Sequence, residues 1–305
     1  MHFTARFGRP VVAIAARAVL LLGLTAGALP AFGQAPDSAQ VQRGEYIFHA
    51  GGCLGCHTDV KNNGVPLAGG RELKTPFGSF FGPNITPHPT AGIGRWTEAQ
   101  FRRALREGLR PDGAHYFPSF PYTSFTGITD ADISDLWAYL QTVPQSAQPS
   151  RAHELGFPFN IRLAMIGWKA LYFTQGPFAP NPAASAEINR GAYLVNALGH
   201  CGECHTPRNM VGGLDRSKWL AGGILDGGVV PNITPHAETG IGKWSPGDLT
   251  DLLKMGMTPD GDFVGGEMAE VTKETAKLTD DDVKAVIAYL RSLPPVNNPV
   301  RKPKG

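Results

Sequence analysis

Two short segments, Cys53-Leu54-Gly55-Cys56-His57 and Cys201-Gly202-Glu203-Cys204-His205, constrain this chain more than any other feature. C-x-x-C-H is an attachment pattern for c-type haem, in which two thiols form thioethers to the vinyl groups and the adjoining imidazole stands beneath the iron. A redox C-x-x-C pair or half of a zinc site uses the same cysteine spacing, but neither needs a histidine directly after the second cysteine in both copies. The sequence therefore predicts two covalently bound haem c groups. Cys53 and Cys56 would hold the first with His57 as proximal ligand, and Cys201 and Cys204 the second with His205. All four cysteines lie in these motifs, which leaves none for a structural disulfide.

The motifs belong to a longer repeat. Asn84-Ile85-Thr86-Pro87-His88 returns as Asn232-Ile233-Thr234-Pro235-His236, Gly92-Ile93-Gly94-Arg95-Trp96 as Gly240-Ile241-Gly242-Lys243-Trp244, and Pro111-Asp112-Gly113 as Pro259-Asp260-Gly261. The offset from Cys53 to Cys201, Trp96 to Trp244 and Pro111 to Pro259 is 148 each time. Two copies make a pair of similar domains rather than a solenoid. Gly 38 and Pro 26 are high counts without a short period, which fits loop-rich globular domains in which haem replaces part of the core.

Each copy closes on a helix signal. Thr129 and Asp132 suggest a capping box before Ile133, Leu136, Trp137 and Leu140, with Pro144 as the stop; Thr279 and Asp282 precede Val283, Val286, Ile287 and Leu290, with Pro294 as the stop. Further helices are expected before each haem motif, at Glu98–Glu107, and near 248–255. Helix, haem motif, Gly/Pro-rich loop, helix, ligand loop and closing helix is the order of a small class I cytochrome c domain. The expectation is an all-α fold of two tandem class I cytochrome c domains, residues 36–149 and 187–305, joined by a partly helical linker over 150–186.

Residues 1–35 read as a secretory signal peptide: Arg6 and Arg9 precede an apolar run from about Ala18 to Phe32, with small residues at Ala31, Gly33 and Ala35. Retention as a membrane anchor is the alternative, although the run is short for a span and Arg17 interrupts its upstream extension. Cleavage removes three positive charges and no acid, turning the formal +2 into about −1, and argues against nucleic-acid binding. The most apolar later segment, 155–173, contains Asn160, Arg162 and Lys169. No integral span is therefore expected after cleavage, while peripheral membrane association stays open. The periplasm is the expected location.

With these motifs the chain resembles the two-domain cytochrome c proteins related to the cytochrome subunits of bacterial membrane-bound alcohol and gluconate dehydrogenases. The resemblance extends to Phe157-Pro158-Phe159-Asn160-Ile161-Arg162 with Trp168, and to Cys204-His205-Thr206-Pro207-Arg208-Asn209. Those subunits carry three haem domains and a C-terminal membrane-binding stretch, whereas this sequence has two motifs and ends in Arg301-Lys302-Pro303-Lys304-Gly305. The resemblance implies a dehydrogenase as electron donor and a terminal oxidase or small cytochrome as acceptor.

The sixth ligands differ between the copies. Met268 lies 67 residues after Cys201, in Gly265-Gly266-Glu267-Met268, and is expected on a short loop where a class I domain presents sulfur to iron. The same count from Cys53 reaches Phe120, and no methionine occurs from Cys53 to Pro149. His115 on the same loop is the nearest replacement, with His88 and Met165 as alternatives. A surface or propionate-binding role is an equal reading of His115. Trp96 and Trp244 read as haem-edge packing, Arg162 and Trp168 as interdomain core, and Arg208 as a propionate partner or a solvent-facing arginine. Asp280, Asp281 and Asp282 read as a helix start rather than a calcium cluster. The resulting function is a dihaem electron carrier or dehydrogenase subunit, with no catalytic residue of its own. The alternatives are a dihaem enzyme of peroxidase or thiosulfate-oxidising type, with an open or displaceable site at haem 1, and a haem-bearing docking module.

Overall fold

The computed structural model describes residues 37–301; the expected signal peptide and the tail from Lys302 onward lie outside the described residues. The first repeat contains α1 (Ser38–Ala50), α2 (Cys53–His57), β1 (Glu72–Thr75), β2 (Gly78–Phe81), α3 (Glu98–Glu107), α4 (Tyr122–Phe125) and α5 (Asp130–Leu140). The joining segment supplies β3 (Glu154–Leu155) and α6 (Met165–Tyr172). The second repeat contains α7 (Ala186–Tyr193), α8 (Gly202–His205), β4 (Gly223–Leu225), β5 (Gly228–Val230), α9 (Pro246–Met255), α10 (Gly266–Thr275) and α11 (Asp280–Ser292).

The expectation of an all-α fold is overturned, because the described residues form helices together with two small antiparallel sheets. One has the order β1-β2-β3, and the other pairs β4 with β5. In the first, Glu72 faces Phe81 and Thr75 faces Gly78, and β3 of the joining segment adds Leu155 opposite Gly78. Strands of four residues or fewer are too short to show alternation among the glycines and prolines around them. The signal was the turn Thr75-Pro76-Phe77-Gly78, where Gly78 has φ +120° and the Thr75 hydroxyl donates to the Gly78 carbonyl.

The helices follow from their caps and apolar faces. Thr97 and Gln100 form a reciprocal capping box at the start of α3, and Ser245 with Asp248 repeats it at α9; each helix ends at a left-handed glycine, Gly108 or Gly256. At α5 and α11 only half of the expected box is present. Thr129 and Thr279 accept from the Asp132 and Asp282 amides, but the two carboxylates are engaged elsewhere. In each repeat the helix before the haem motif crosses the closing helix at a glycine. A Cβ on Gly44 or Gly191 would stand 1.9 Å from the carbonyl oxygen of Asp135 or Ala285, so any side chain there would force the helices apart.

One apolar core runs through both repeats. It takes Ile47 and Phe48 from α1, Ile133 and Leu136 from α5, Leu194, Val195 and Leu198 from the wide helical turn after α7, and Val283 and Ile287 from α11. Polar contacts cross the same interface reciprocally. The Tyr46 hydroxyl donates to Asp282 (2.5 Å) and accepts from the Thr279 amide, while the Tyr193 hydroxyl donates to Asp132 and accepts from the Thr129 amide. This is the self-complementary pattern of a twofold dimer, realised within one chain.

Candidate haem sites

Both attachment segments are short helical turns entered through a left-handed residue or wide turn. Gly52 (φ +60°) precedes Cys53, and His200 (φ +40°) occupies the matching place before Cys201. His200 packs edge-on against Phe125 of the first repeat at 5.3 Å, which holds a side chain where the first copy needs none. Burial pushes the Cys53 and Cys201 thiols up to about 12 and the Cys204 thiol up to about 11, and raises that of Cys56. All four cysteines are free of disulfides.

The histidines are oriented alike. His57 Nδ1 donates to the Pro83 carbonyl and His205 Nδ1 to the Pro231 carbonyl, each at 2.8 Å, which leaves each Nε2 as the nitrogen available to a metal. Burial lowers both imidazoles below their usual range and the carbonyl bonds act against it; the neutral ring is the form that coordinates. Close backbone approach sets those carbonyls. A Cβ on Gly69 would meet the Pro83 carbon at 2.6 Å, and one on Gly222 the Pro231 carbon at 2.8 Å. The repeated Asn-Ile-Thr-Pro segments brace the same loops. Asn84 donates to the Ser146 and Gln148 carbonyls, and Asn232 to the Val296 carbonyl, tying each proline to the chain beyond its closing helix. Paired thiols beside an imidazole with a fixed free nitrogen are what haem c requires, so the residues fit the group.

Met268 lies in the first turn of α10, half-buried, and not on a loop ahead of the closing helix as expected. Phe120 fills the matching place in the first repeat and packs edge-on with Tyr116 (5.1 Å) and Phe125 (5.7 Å). His115 bridges to Leu109, its carbonyl accepts from Arg162 (2.9 Å), and its buried Nδ1 has no hydrogen-bond partner among the described residues. Burial, and then Lys169 and Arg103, lower its imidazole. His88 Nδ1 accepts from the Thr90 and Ala91 amides just as His236 Nδ1 accepts from those of Glu238 and Thr239, so both rings cap the same turn. Met165 opens α6.

Other expected residues take different partners. Trp168 donates to the Val211 carbonyl, Arg162 lies 4.5 Å over Phe117, and the joining segment leaves Leu163, Ile166 and Leu171 exposed. Arg208 pairs with Glu203 at 2.6 Å. Sequence reasoning passed over Glu203, a buried carboxylate inside the second motif that also accepts from Thr123 (2.5 Å) and Ser124 (3.0 Å) of the first repeat. The available signal was its replacement by Gly55 in the first motif. Arg71 and Glu267 were also missed, and they join the repeats at 2.5 Å. Trp96 and Trp244 pack partly buried on the core. Among the described residues no group of acidic, histidine and cysteine side chains could hold a separate metal ion.

The cytochrome c family matches the chain over residues 41–144 and again over 188–294. A dihaem c-type cytochrome of Cereibacter sphaeroides is 46% identical over 269 residues, covering 85% of this chain and 88% of that protein. The cytochrome c subunit of a quinone-dependent alcohol dehydrogenase of Gluconacetobacter polyoxogenes is 40% identical, covering 87% of this chain and 59% of the subunit. The gluconate 2-dehydrogenase cytochrome c subunit of Pantoea cypripedii is 36% identical, covering 90% of this chain and 64% of the subunit. The chain thus spans most of the dihaem relative but less than two thirds of either dehydrogenase subunit. The resemblance read from the motifs is borne out, and the chain belongs to the cytochrome c family and carries two covalently bound haem c groups.

Proposed function

We propose that this protein is a periplasmic dihaem electron carrier that receives electrons from a partner dehydrogenase and passes them singly to a terminal oxidase or small cytochrome. Each haem supplies a one-electron iron couple whose potential depends on axial ligands, burial and nearby charge. In this reading Cys53 and Cys56 hold haem 1, Cys201 and Cys204 hold haem 2, and His57 and His205 are the proximal ligands. Met268 completes haem 2 and His115 completes haem 1.

The observation that carries the reading is the placement of both attachment segments on one continuous core, against which Cys53, Leu54 and Cys201 all pack. A shared rigid core keeps the two sites at a fixed separation, as intramolecular electron exchange requires. The kinship with dehydrogenase cytochrome subunits supports the donor class. The arginines before the apolar run at 18–32 support export. Among the described residues no helix is long and apolar enough to cross a membrane. Fractionation of expressing cells, with a redox titration of the purified holoprotein, tests the reading. A periplasmic protein with two one-electron couples is expected, and haem confined to the cytoplasm would sink it.

Phe120 in place of methionine favours a second reading, an enzyme with an open iron at haem 1. Electron paramagnetic resonance separates the two. The carrier reading expects both haems low-spin in wild type, with His115→Ala converting haem 1 to a high-spin, cyanide-binding form. A wild-type haem that is already high-spin and takes up peroxide rapidly would instead favour the enzyme.

A further inference from the structure

Helix α10, which carries Met268 in its first turn, is fastened to the opposite repeat at both ends. Near its start, both oxygens of Glu267 accept from Arg71 Nη2, at 2.5 and 2.6 Å. Near its end, Glu274 lies 2.6 Å from His49 Nδ1 of α1. Positions 267 and 274 are two helical turns apart, so both contacts lie on one face of the helix. Arg71 is a rigid anchor: its side chain is only 3% exposed, and it stands at the start of the β1–β2 ribbon directly after Gly69-Gly70. The fastening is particular to the methionine side. Ile224 follows the matching Gly222-Gly223, and Ser119 takes the place of Glu267 in the first repeat. The corresponding first-repeat loop is held differently, through Thr123 and Ser124 on Glu203.

We infer that Arg71 of the first repeat is a positioning residue for the axial methionine of the second, and that its bond to Glu267 sets how readily Met268 leaves the iron of haem 2. This rests on the reading of Met268 as that ligand. A residue beside the first attachment segment would then control a ligand of the second haem, making the two sites conformationally dependent on one another. Glu267 is 56% exposed, so the pair adds little to overall stability; its effect is on local opening of the first turn of α10.

The test measures imidazole binding to haem 2 and its sulfur-to-iron charge-transfer band in the holoprotein. Glu267→Gln, at the exposed end of the pair, keeps the fold and should speed imidazole uptake at haem 2 about threefold, the size expected when a half-exposed ion pair is lost from a local opening. Arg71→Gln should do the same, the double variant should add nothing further, and Arg71→Lys should recover part of the wild-type rate. A normal uptake rate in Arg71→Gln would overturn the inference, as would additive effects in the double variant. Met268→Ala tells the two readings apart. If it leaves the band intact, the ligand assignment fails and the inference with it; if it removes the band while both latch variants bind imidazole at the wild-type rate, only the positioning role fails.

Discussion

Met268→Ala should abolish the sulfur-to-iron charge-transfer band of haem 2 and lower its midpoint potential by at least about 0.1 V, a modest part of the roughly 0.8 V that axial ligands command. The sign follows from the ligand: thioether sulfur favours reduced iron more than imidazole or water does, so its loss stabilises the oxidised form. The alternative for Met268 is a half-buried core residue, and that role gives a different result. A packing methionine cut to alanine costs stability but leaves band and potential in place. Spectroelectrochemistry on wild type and variant decides between them. Retention of both features would point to Met255 or Met257, which end and follow α9. It would also remove the ground for placing haem 1 below haem 2 in potential, since a His115-ligated iron would lie lower than its neighbour only if a methionine sulfur holds the second iron.

The parts of this fold that were legible in the sequence are those written twice. The C-x-x-C-H motifs and the Asn-Ile-Thr-Pro segments repeat at an offset of 148, the caps at Thr129 and Thr279 recur at 150, and the structure places each pair in matching surroundings. What escaped was asymmetric or non-local. Strand β3 exists because the joining segment returns to β2, and two residues carry no periodicity of their own. Arg71 and Glu267 lie 196 positions apart, and each looks like a solvated charge until the repeats are packed. Glu203 sits inside a motif that specifies only its cysteines and histidine. Its burial depends on Thr123 and Ser124, which are 80 and 79 positions away. Met268 was read from its distance to Cys201, and that distance says nothing of the helix on which the residue stands.

The interface between repeats yields the largest expected effect on stability, at Asp282. This carboxylate accepts from Tyr46 of the first repeat and forms a paired contact with Arg190, at 2.8 Å to Nε and 2.7 Å to Nη2. Burial alone would raise its pKa, but Arg190 and Tyr46 together outweigh burial and hold the carboxyl below the usual range. Asp282→Ala leaves a guanidinium and a phenol without their acceptor. The Asp282 side chain is 11% exposed, but Arg190 is 39% exposed and partly screened, so the cost is set at about 2 kcal/mol, below that of a fully buried pair. For a protein of this size that lowers the melting temperature by about 5 °C. Asp132, its counterpart, accepts from Tyr193, while Arg43 pairs instead with Asp135 at 2.7 Å. Asp132→Ala should therefore cost only about 1 kcal/mol, the value of one hydrogen bond. The pH dependence of the Asp282 contribution gives a second measure. A carboxyl with a depressed folded pKa contributes its full stabilisation above the unfolded value near ~3.9 and loses it as pH falls through the folded value. The gap between wild type and Asp282→Ala should therefore be widest at neutral pH and narrow below about pH 4. Chemical denaturation of the two holoprotein variants from pH 7 down to pH 3 measures both quantities. Equal losses for Asp132→Ala and Asp282→Ala, or a gap that does not narrow in acid, would show that the Arg190 pairing contributes nothing beyond the crossed tyrosine contact.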